Sequence, residues 1–419
     1  MSPDSLDGLE TTRLGRAFRK TFQSLRTRNF RLYFFGQLIS NTGNWLTNVA
    51  LTLLVLKLGG SGLAVGVLAA CQFGPILFLS AWGGAIADRV DKRQLLLVTQ
   101  SLEMAQSICL AVLAFMPHPP LLGLYALAAA GGIFLAFDNP LRRSFVSEMV
   151  PPEDTSNAVV LYGTIVNTSR IFGPALAGLL AVTVGFGWCF VLDASSYLAV
   201  LYALQRMRVS ELHRLPPKPR AKGEVRAGLR YVLSEPVLRI SFGMLAAIGL
   251  ISYNFNVTLP IFVTRALHGT DGTYTVIYAI FSLGAVATAL LVAQRGYVKL
   301  RHSIYGAAAL GVTMLLLSIV PTVGLAIPAV FLLGTASIIY MTATTTQVQL
   351  ETDPAMRGRV LSLQTVLLIG PTAIGGPILG QLADVLGARS PMILGGVVAL
   401  LTAAFGAATA RRLAAARAQ

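Results

Sequence analysis

Twelve long apolar runs divide this chain, and they constrain it more than any other feature. A helix rises 1.5 Å per residue, so about 20 mostly apolar residues cross the hydrocarbon core of a bilayer. Runs of that length fall at 33–56, 63–86, 94–115, 120–141, 158–182, 187–206, 238–262, 273–293, 302–320, 324–345, 359–384 and 391–410. They predict an all-α membrane protein with twelve transmembrane helices. Composition agrees: 54% of the 419 residues are hydrophobic and 12% are charged, where a soluble domain carries about 25% charge. The 40 glycines suit close helix packing in lipid. Cys71, Cys109 and Cys189 stand singly inside apolar runs, a pattern of packing residues that offers no disulfide framework and no metal spacing.

The net charge of +15 is an orientation signal. Arg13, Arg16, Arg19, Lys20, Arg26, Arg28 and Arg31 precede the first run. Arg89, Lys92 and Arg93 follow the second, and Arg142 and Arg143 follow the fourth. Further basic residues fill the connection from Arg206 to Arg239, then come Arg295, Lys299, Arg301, Arg357, Arg359, Arg411, Arg412 and Arg417. All fall on one side of a twelve-span topology, and the other side keeps Lys57, Arg265 and Arg389. Cytoplasmic loops carry the positive excess, so both termini are expected in the cytoplasm, with the chain multi-pass in the plasma (inner) membrane. The charge is read as topology and lipid-surface contact, not nucleic-acid binding. The first 30 residues lack the apolar core of a signal peptide. Leu14, Phe18, Phe22 and Leu25 recur at helical spacing among basic residues, which suits either a short helix on an anionic membrane surface or a disordered basic tail.

A prolyl, charged stretch with Pro216, Pro217 and Pro219 splits the chain into two halves of six spans. The organisation expected is a basic segment (1–32), a first six-helix bundle (33–206), a cytoplasmic linker (207–237), a second bundle (238–411) and a short tail (412–419). The halves resemble each other. Glu148, Pro151, Gly173 and Pro174 recur 203 residues later as Glu351, Pro354, Gly376 and Pro377. Parallel half-repeats place a binding site at their interface, near mid-membrane.

Between the second and third runs stands Gly83-Gly84-Ala-Ile-Ala-Asp88-Arg89-Val-Asp91-Lys92-Arg93. This resembles the loop signature of the major facilitator superfamily, with Asp91 in place of the usual second glycine. The resemblance covers nearly the whole chain and implies two pseudo-symmetric six-helix bundles. Physically, Asp88 ends a helix, while Arg89, Lys92 and Arg93 can pair with carboxylates or with the negative ends of helices. Such contacts, with Gly84, would form a switch loop that opens and closes the gap between halves; the alternative is a topology anchor. Asn139-Pro140-Leu-Arg142-Arg143, Asn167-Thr-Ser-Arg170-Ile-Phe-Gly173-Pro174 and Asn254-Phe-Asn256-Val-Thr-Leu-Pro260 look like the branch holding the enterobactin exporter and related secretion and multidrug-efflux proteins. Gly173-Pro174-Ala-Leu-Ala177-Gly178 resembles the fifth-helix motif of drug/proton antiporters, with Ala177 where that motif has glycine. Gly173, Pro174, Gly178, Gly376 and Pro377 are thus hinge or packing candidates.

Ionisable residues inside a membrane are costly and mark function by default. Glu103, Asp138, Arg170 and Asp193 fall inside spans, and Asp384 at the outer end of one. Arg170 keeps its charge and needs a partner; Asp138, Glu103 and Asp193 are the choices. A buried carboxylate relieved of such a partner would take up a proton, which is what a proton-coupled antiporter needs; the alternative is a permanent ion pair. Gln37, Asn41, Asn44 and Asn48 lie on one helical face that must meet protein or water. The resemblance assigns the first, fourth, seventh and tenth helices to the cavity, which nominates Asn41, Asn44, Asn48, Tyr253, Asn254, Asn256, Tyr340, Thr344 and Gln347 as substrate contacts. Trp45 and Phe255 beside them can stack on an aromatic or amphipathic solute.

The reading that follows is a secondary active transporter exporting small amphipathic molecules, drug-like or siderophore-like, by alternating access with proton antiport. A lipid or lysolipid flippase of the same fold is the second reading, and a membrane-embedded sensor the third. His118, His213, His268 and His302 lie far apart in the topology, and neither a nucleophile–base pair nor a P-loop is present, so no enzymatic activity, cofactor or metal is expected. The expected partners are a small-molecule substrate, protons and membrane lipids, with the chain acting as a monomer.

Overall fold

In a computed structural model, described for residues 22–87, 90–213, 224–292, 300–353 and 356–418, the chain folds into helices joined by short connections. The first half holds α1 (Arg28–Gly59), α2 (Gly62–Ala87), α3 (Lys92–Ala114), α4 (Leu121–Val146), α5 (Thr155–Thr183) and α6 (Phe186–Gln205). The second holds α7 (Pro236–Ala266), α8 (Asp271–Val292), α9 (Leu300–Ile319), α10 (Val323–Glu351), α11 (Arg357–Leu386) and α12 (Ser390–Ala418). Eleven of these are long and apolar enough to span a membrane. The other, α1, runs for 32 residues, and its stripe of Gln37, Asn41, Asn44 and Asn48 lowers its hydropathy.

Turn chemistry sets the shortest connections. Gly60 takes the left-handed conformation (φ 56°) that ends α1, and Gly185 (φ 94°) and Gly387 (φ 93°) open the paths into α6 and α12, positions that disfavour any Cβ. The Asp91 carboxylate caps α3 by accepting from the Gln94 amide at 3.1 Å. The helix ends at Arg28, Gln205 and Ala418 share one side, here called the basic face; the loops after α1, α3 and α5 define the opposite face.

The two bundles repeat one packing scheme. In the first, α1 packs on α5 and α6, α4 on α2 and α3, and α3 on α6; α7, α11, α12, α10, α8 and α9 repeat these pairings. Across the halves, α2 meets α11 and α5 meets α8, an exchange expected of a pseudo-two-fold axis. Those seams are tightest toward the opposite face. A Cβ on Gly62 would meet the Gly380 carbonyl at 2.6 Å, and one on Gly66 the Gly376 carbonyl at 2.5 Å. A Cβ on Gly178 would lie 1.8 Å from the Thr275 hydroxyl. Small residues let backbones approach this closely in lipid.

Several boundaries differ from the sequence reading. α4 continues past 141 to Val146, because Arg142 is paired inside the bundle instead of marking a loop. The stretch 412–418, expected as a tail, continues α12. The linker carries a basic amphipathic helix, Glu224–Ser234. Phe22 and Leu25, the two described members of the stripe for which a surface helix and a disordered tail were both open, pack against the protein on the cluster around Phe30, Tyr33 and Phe145. Leu14, Phe18, Arg295, Lys299, Pro216, Pro217 and Pro219 lie outside the described residues.

Candidate functional site

Polar groups converge inside the first bundle. Asp138 and Arg142 are one helical turn apart on α4, on the same face, and form an ion pair. The Arg142 guanidinium also donates to Glu103 of α3 at 3.1 Å, to Gln37 at 2.8 Å and to Asn41 at 2.9 Å, both of α1. Asp138 is completed by Thr99 and Gln100 of α3, each at 2.8 Å. Asp138 is 0% exposed, Glu103 2% and Arg142 3%, so three helices are tied by charges that have left water. The planar, always-charged fork of arginine suits such a junction.

Nearer the opposite face, the Asp193 carboxylate of α6 accepts from Thr47 of α1 and Ser107 of α3, both at 2.7 Å. A concavity lined by Asn44, Asn48, Gln72, Gln106 and Tyr197 reaches both Glu103 and Asp193. The two carboxyls therefore line one concavity within the first bundle.

Arg170 does something else. The sequence reading paired it with Asp138, Glu103 or Asp193; Arg142 occupies the first two, and hydroxyls surround the third. The reason is angular: α5 presents Arg170 to the seam between halves, not to the interior of its own bundle. Its guanidinium lies over the Trp45 ring, 5.3 Å from the centroid, and faces the Tyr278 hydroxyl of α8. Tyr278 in turn donates to Asn256 at 3.0 Å. Arg142 is the residue that sequence reasoning missed. Its signal was the four-residue spacing to Asp138, hidden by a span that ended one residue early.

The cavity candidates divide. Asn41 serves Arg142, and Asn44 donates to Tyr197 at 3.3 Å. Asn48 lines the concavity, and Asn256 and Tyr253 stand at the seam, with Tyr253 accepting from Ser337 at 2.8 Å. Asn254 is buried and donates to the Gly249 and Leu250 carbonyls, satisfying a break that follows the π-helical turn Ile248–Ser252. Tyr340, Thr344 and Gln347 are at most 1% exposed, and α10 turns this face to α9: Gln347 accepts from Ser303 at 2.9 Å, and Gly306 abuts Tyr340. They belong to the interior of the second bundle, a correction to their place on a cavity wall.

At the start of α3, Lys92 pairs with Glu148, and Arg93 donates to the Leu204 carbonyl at 2.7 Å at the end of α6. Both contacts stay within the first half, not across the gap. Gly84 lies near the end of α2; Asp88 and Arg89 lie outside the described residues. Gly173 seats Trp45 and Thr42 of α1, Gly178 seats Thr275, and Gly376 with Pro377 seats Gly66, all as close-approach positions. At the opposite face, the Asp384 carboxylate accepts from Arg265 at 2.6 Å and from the Gly62 and Leu63 amides at 2.7 and 2.9 Å. Arg265 also donates to the Gly60 carbonyl at 2.7 Å. Through these contacts Arg265 and Asp384, both of the second half, fasten it to the first.

The chain as a whole is similar to known proteins. The staphyloferrin A transporter of Staphylococcus aureus is 25% identical over 85% of this chain and 90% of its own length. The enterobactin exporter EntS of Citrobacter koseri is 26% identical over 84% and 85%. A POT family transporter solved with a thioalcohol-conjugated peptide superposes with a TM-score of 0.76 at 15% identity, covering 94% of this chain and 99% of that one. A bacterial homologue of the lysosomal transporter Spinster, solved inward-facing and unoccupied, gives 0.72 at 15% identity, covering 92% and 97%. These solved structures share the fold. The family described as transmembrane secretion effector matches residues 19–418, so the chain belongs to that family, a branch of the major facilitator superfamily, and is a multi-pass membrane transporter of small molecules.

Proposed function

We propose that this protein is a secondary active exporter of small amphipathic molecules, siderophore-like or drug-like, that exchanges them for protons by alternating access. The observation that carries the proton half is the charge count of the first bundle: Asp138, Glu103 and Asp193 against the single guanidinium of Arg142 in that cluster. Net charge buried in a membrane is expensive, so the fewer carboxyls Arg142 touches, the more protons the cluster holds. Movement of α4 against α3 and α1 changes that number. The relatives named as a staphyloferrin A transporter and an enterobactin exporter support the substrate half, and two bundles that repeat one packing scheme suit alternating access.

Gradient-driven export in proteoliposomes tests the reading. Asp138→Asn should bind substrate but lose acceleration by an imposed pH gradient, and Glu103→Gln should show which of the paired carboxyls carries more of the coupling. Full gradient dependence in both variants would reduce the cluster to a structural pair and move the search to Asp193 or another ion. The same reading puts the basic face, and so both termini, in the cytoplasm of the plasma membrane. Reporter fusions at Arg417 and His118 should report opposite sides, and one shared side would refute that orientation.

A further inference from the structure

The seam between the halves holds a second charged group outside the proton cluster. Arg170 sits at mid-depth on α5 and, among the described residues, meets no carboxylate. Its Nε atom is buried with no hydrogen-bond partner. Burying an arginine without an acid is costly, and the cost here is met by an aromatic face and a phenol, Trp45 and Tyr278. Those rings begin a wall that crosses between bundles. Trp45 and Tyr278 lie 6.5 Å apart between centroids, Tyr278 and Phe281 5.9 Å, Phe281 and Phe255 4.9 Å, and Phe255 and Tyr253 5.2 Å. Arg170, Trp45 and Tyr253 remain partly open, while Tyr278, Phe281 and Phe255 are buried behind them.

We infer that Arg170 and this aromatic wall form the substrate's recognition subsite, and that the transported molecule carries an anionic group beside a planar ring. The inference rests on the exporter reading and specifies the charge of its substrate. The chemistry is selective in both directions. A carboxylate or other anion supplies the acceptor that the Arg170 Nε lacks, and a ring beside it slides onto Trp45 or Tyr253. A cationic amphipath meets a like charge that, among the described residues, no contacting carboxylate offsets. Trp45 is on the helix that carries Asn41 to Arg142, so ligand seated at the seam bears on the same helix as the proton cluster.

Three naphthalene probes of matched size test this: 1-naphthoate, 1-naphthalenemethanol and 1-naphthylmethylammonium, read by quenching of tryptophan fluorescence in the purified full-length protein. Wild type should bind the anion about tenfold or more tighter than the alcohol, the span of one charge-assisted hydrogen bond, and bind the cation weakest. Arg170→Gln should erase the difference between anion and alcohol while leaving the alcohol's affinity in place, which also reports that the seam is folded. Arg170→Lys should retain part of the preference. Equal binding of the three probes, no naphthoate binding at millimolar concentration, or an anion preference that survives Arg170→Gln would each overturn the inference. A protein that bound all three alike yet still exported under a pH gradient would refute the substrate charge alone. Loss of gradient dependence with the anion preference intact would refute the proton coupling alone.

Discussion

Arg142 is the residue on which the first bundle depends. Removing one partner of a buried ion pair leaves the other charged and unsolvated, at a cost of about 3–5 kcal/mol. Arg142→Gln strands Asp138 and Glu103 and should lower thermal stability in detergent by that order. Adding Asp138→Asn and Glu103→Gln to it removes the stranded charges and should recover much of the loss. A triple variant no more stable than Arg142→Gln would mean that the pair is not what stabilises the junction. Asp138, Glu103 and Asp193 were legible in the sequence because acids are rare in apolar runs. Arg142, the common partner of Asp138 and Glu103, was not, since hydropathy alone assigns a basic residue at the end of a run to a loop. Arg170 was legible as a membrane cation, but nothing in a linear sequence says which neighbouring helix its face meets. The same limit misplaced Tyr340, Thr344 and Gln347: their spacing puts them on one face of α10, and only packing reveals that the face meets α9.

Among the helices, glycine divides into two kinds that the sequence does not distinguish. Gly380 of α11 lies against α2, where a Cβ would come 2.2 Å from the Gly62 carbonyl, whereas a Cβ on Gly243 of α7 meets nothing within 4 Å. Both are helical, so alanine gains up to about 1 kcal/mol of propensity at either. At Gly243 that gain stands alone, and Gly243→Ala should leave the melting temperature unchanged or raise it. At Gly380 the backbone carbonyl cannot step aside, so α2 and α11 must separate, and Gly380→Ala should destabilise by about 1–3 kcal/mol. Similar melting curves for the two variants would show that the α2–α11 seam is looser than its backbone spacing implies. The twelve spans themselves were readable because apolar length is a property of consecutive residues. Their ends were less so: α4 and α12 run on past Arg142 and Arg143 and past Arg411 and Arg412, since paired or interfacial charges do not stop a helix.

For the whole molecule, the halves are fastened at one end. The Arg265–Asp384 pair, the Gly62 and Leu63 amides and the glycine seams all lie toward the opposite face, and the Trp45–Tyr278 contact lies at mid-depth. The half-repeat in the sequence already implied that two bundles would rock about a shared axis; which end is fastened required the positions of Arg265 and Asp384, 119 residues apart. Asp384 is placed to act as the latch, because its carboxylate belongs to α11 and its amide donors open α2, whose N-terminal end carries partial positive charge. Both side chains of the ion pair are partly exposed, at 29% for Arg265 and 22% for Asp384, so solvent screens the pair and the charge is worth only about 1 kcal/mol. That is still enough to move a two-state equilibrium roughly fivefold. Asp384→Asn keeps the size of the side chain and can still accept from an amide, but it gives up the charge that answers Arg265 and the helix end. It should therefore favour the state open at the opposite face. Spin labels at His118 and His268, in a background with Cys71, Cys109 and Cys189 replaced, report the distance between the two halves at that face. Asp384→Asn should enlarge the long-distance population, and high salt should do the same to the wild-type latch while changing the variant less. An unchanged distance distribution in Asp384→Asn would assign closure to the glycine seams alone, and Arg265 and Asp384 would then be surface charges that follow the motion without holding it.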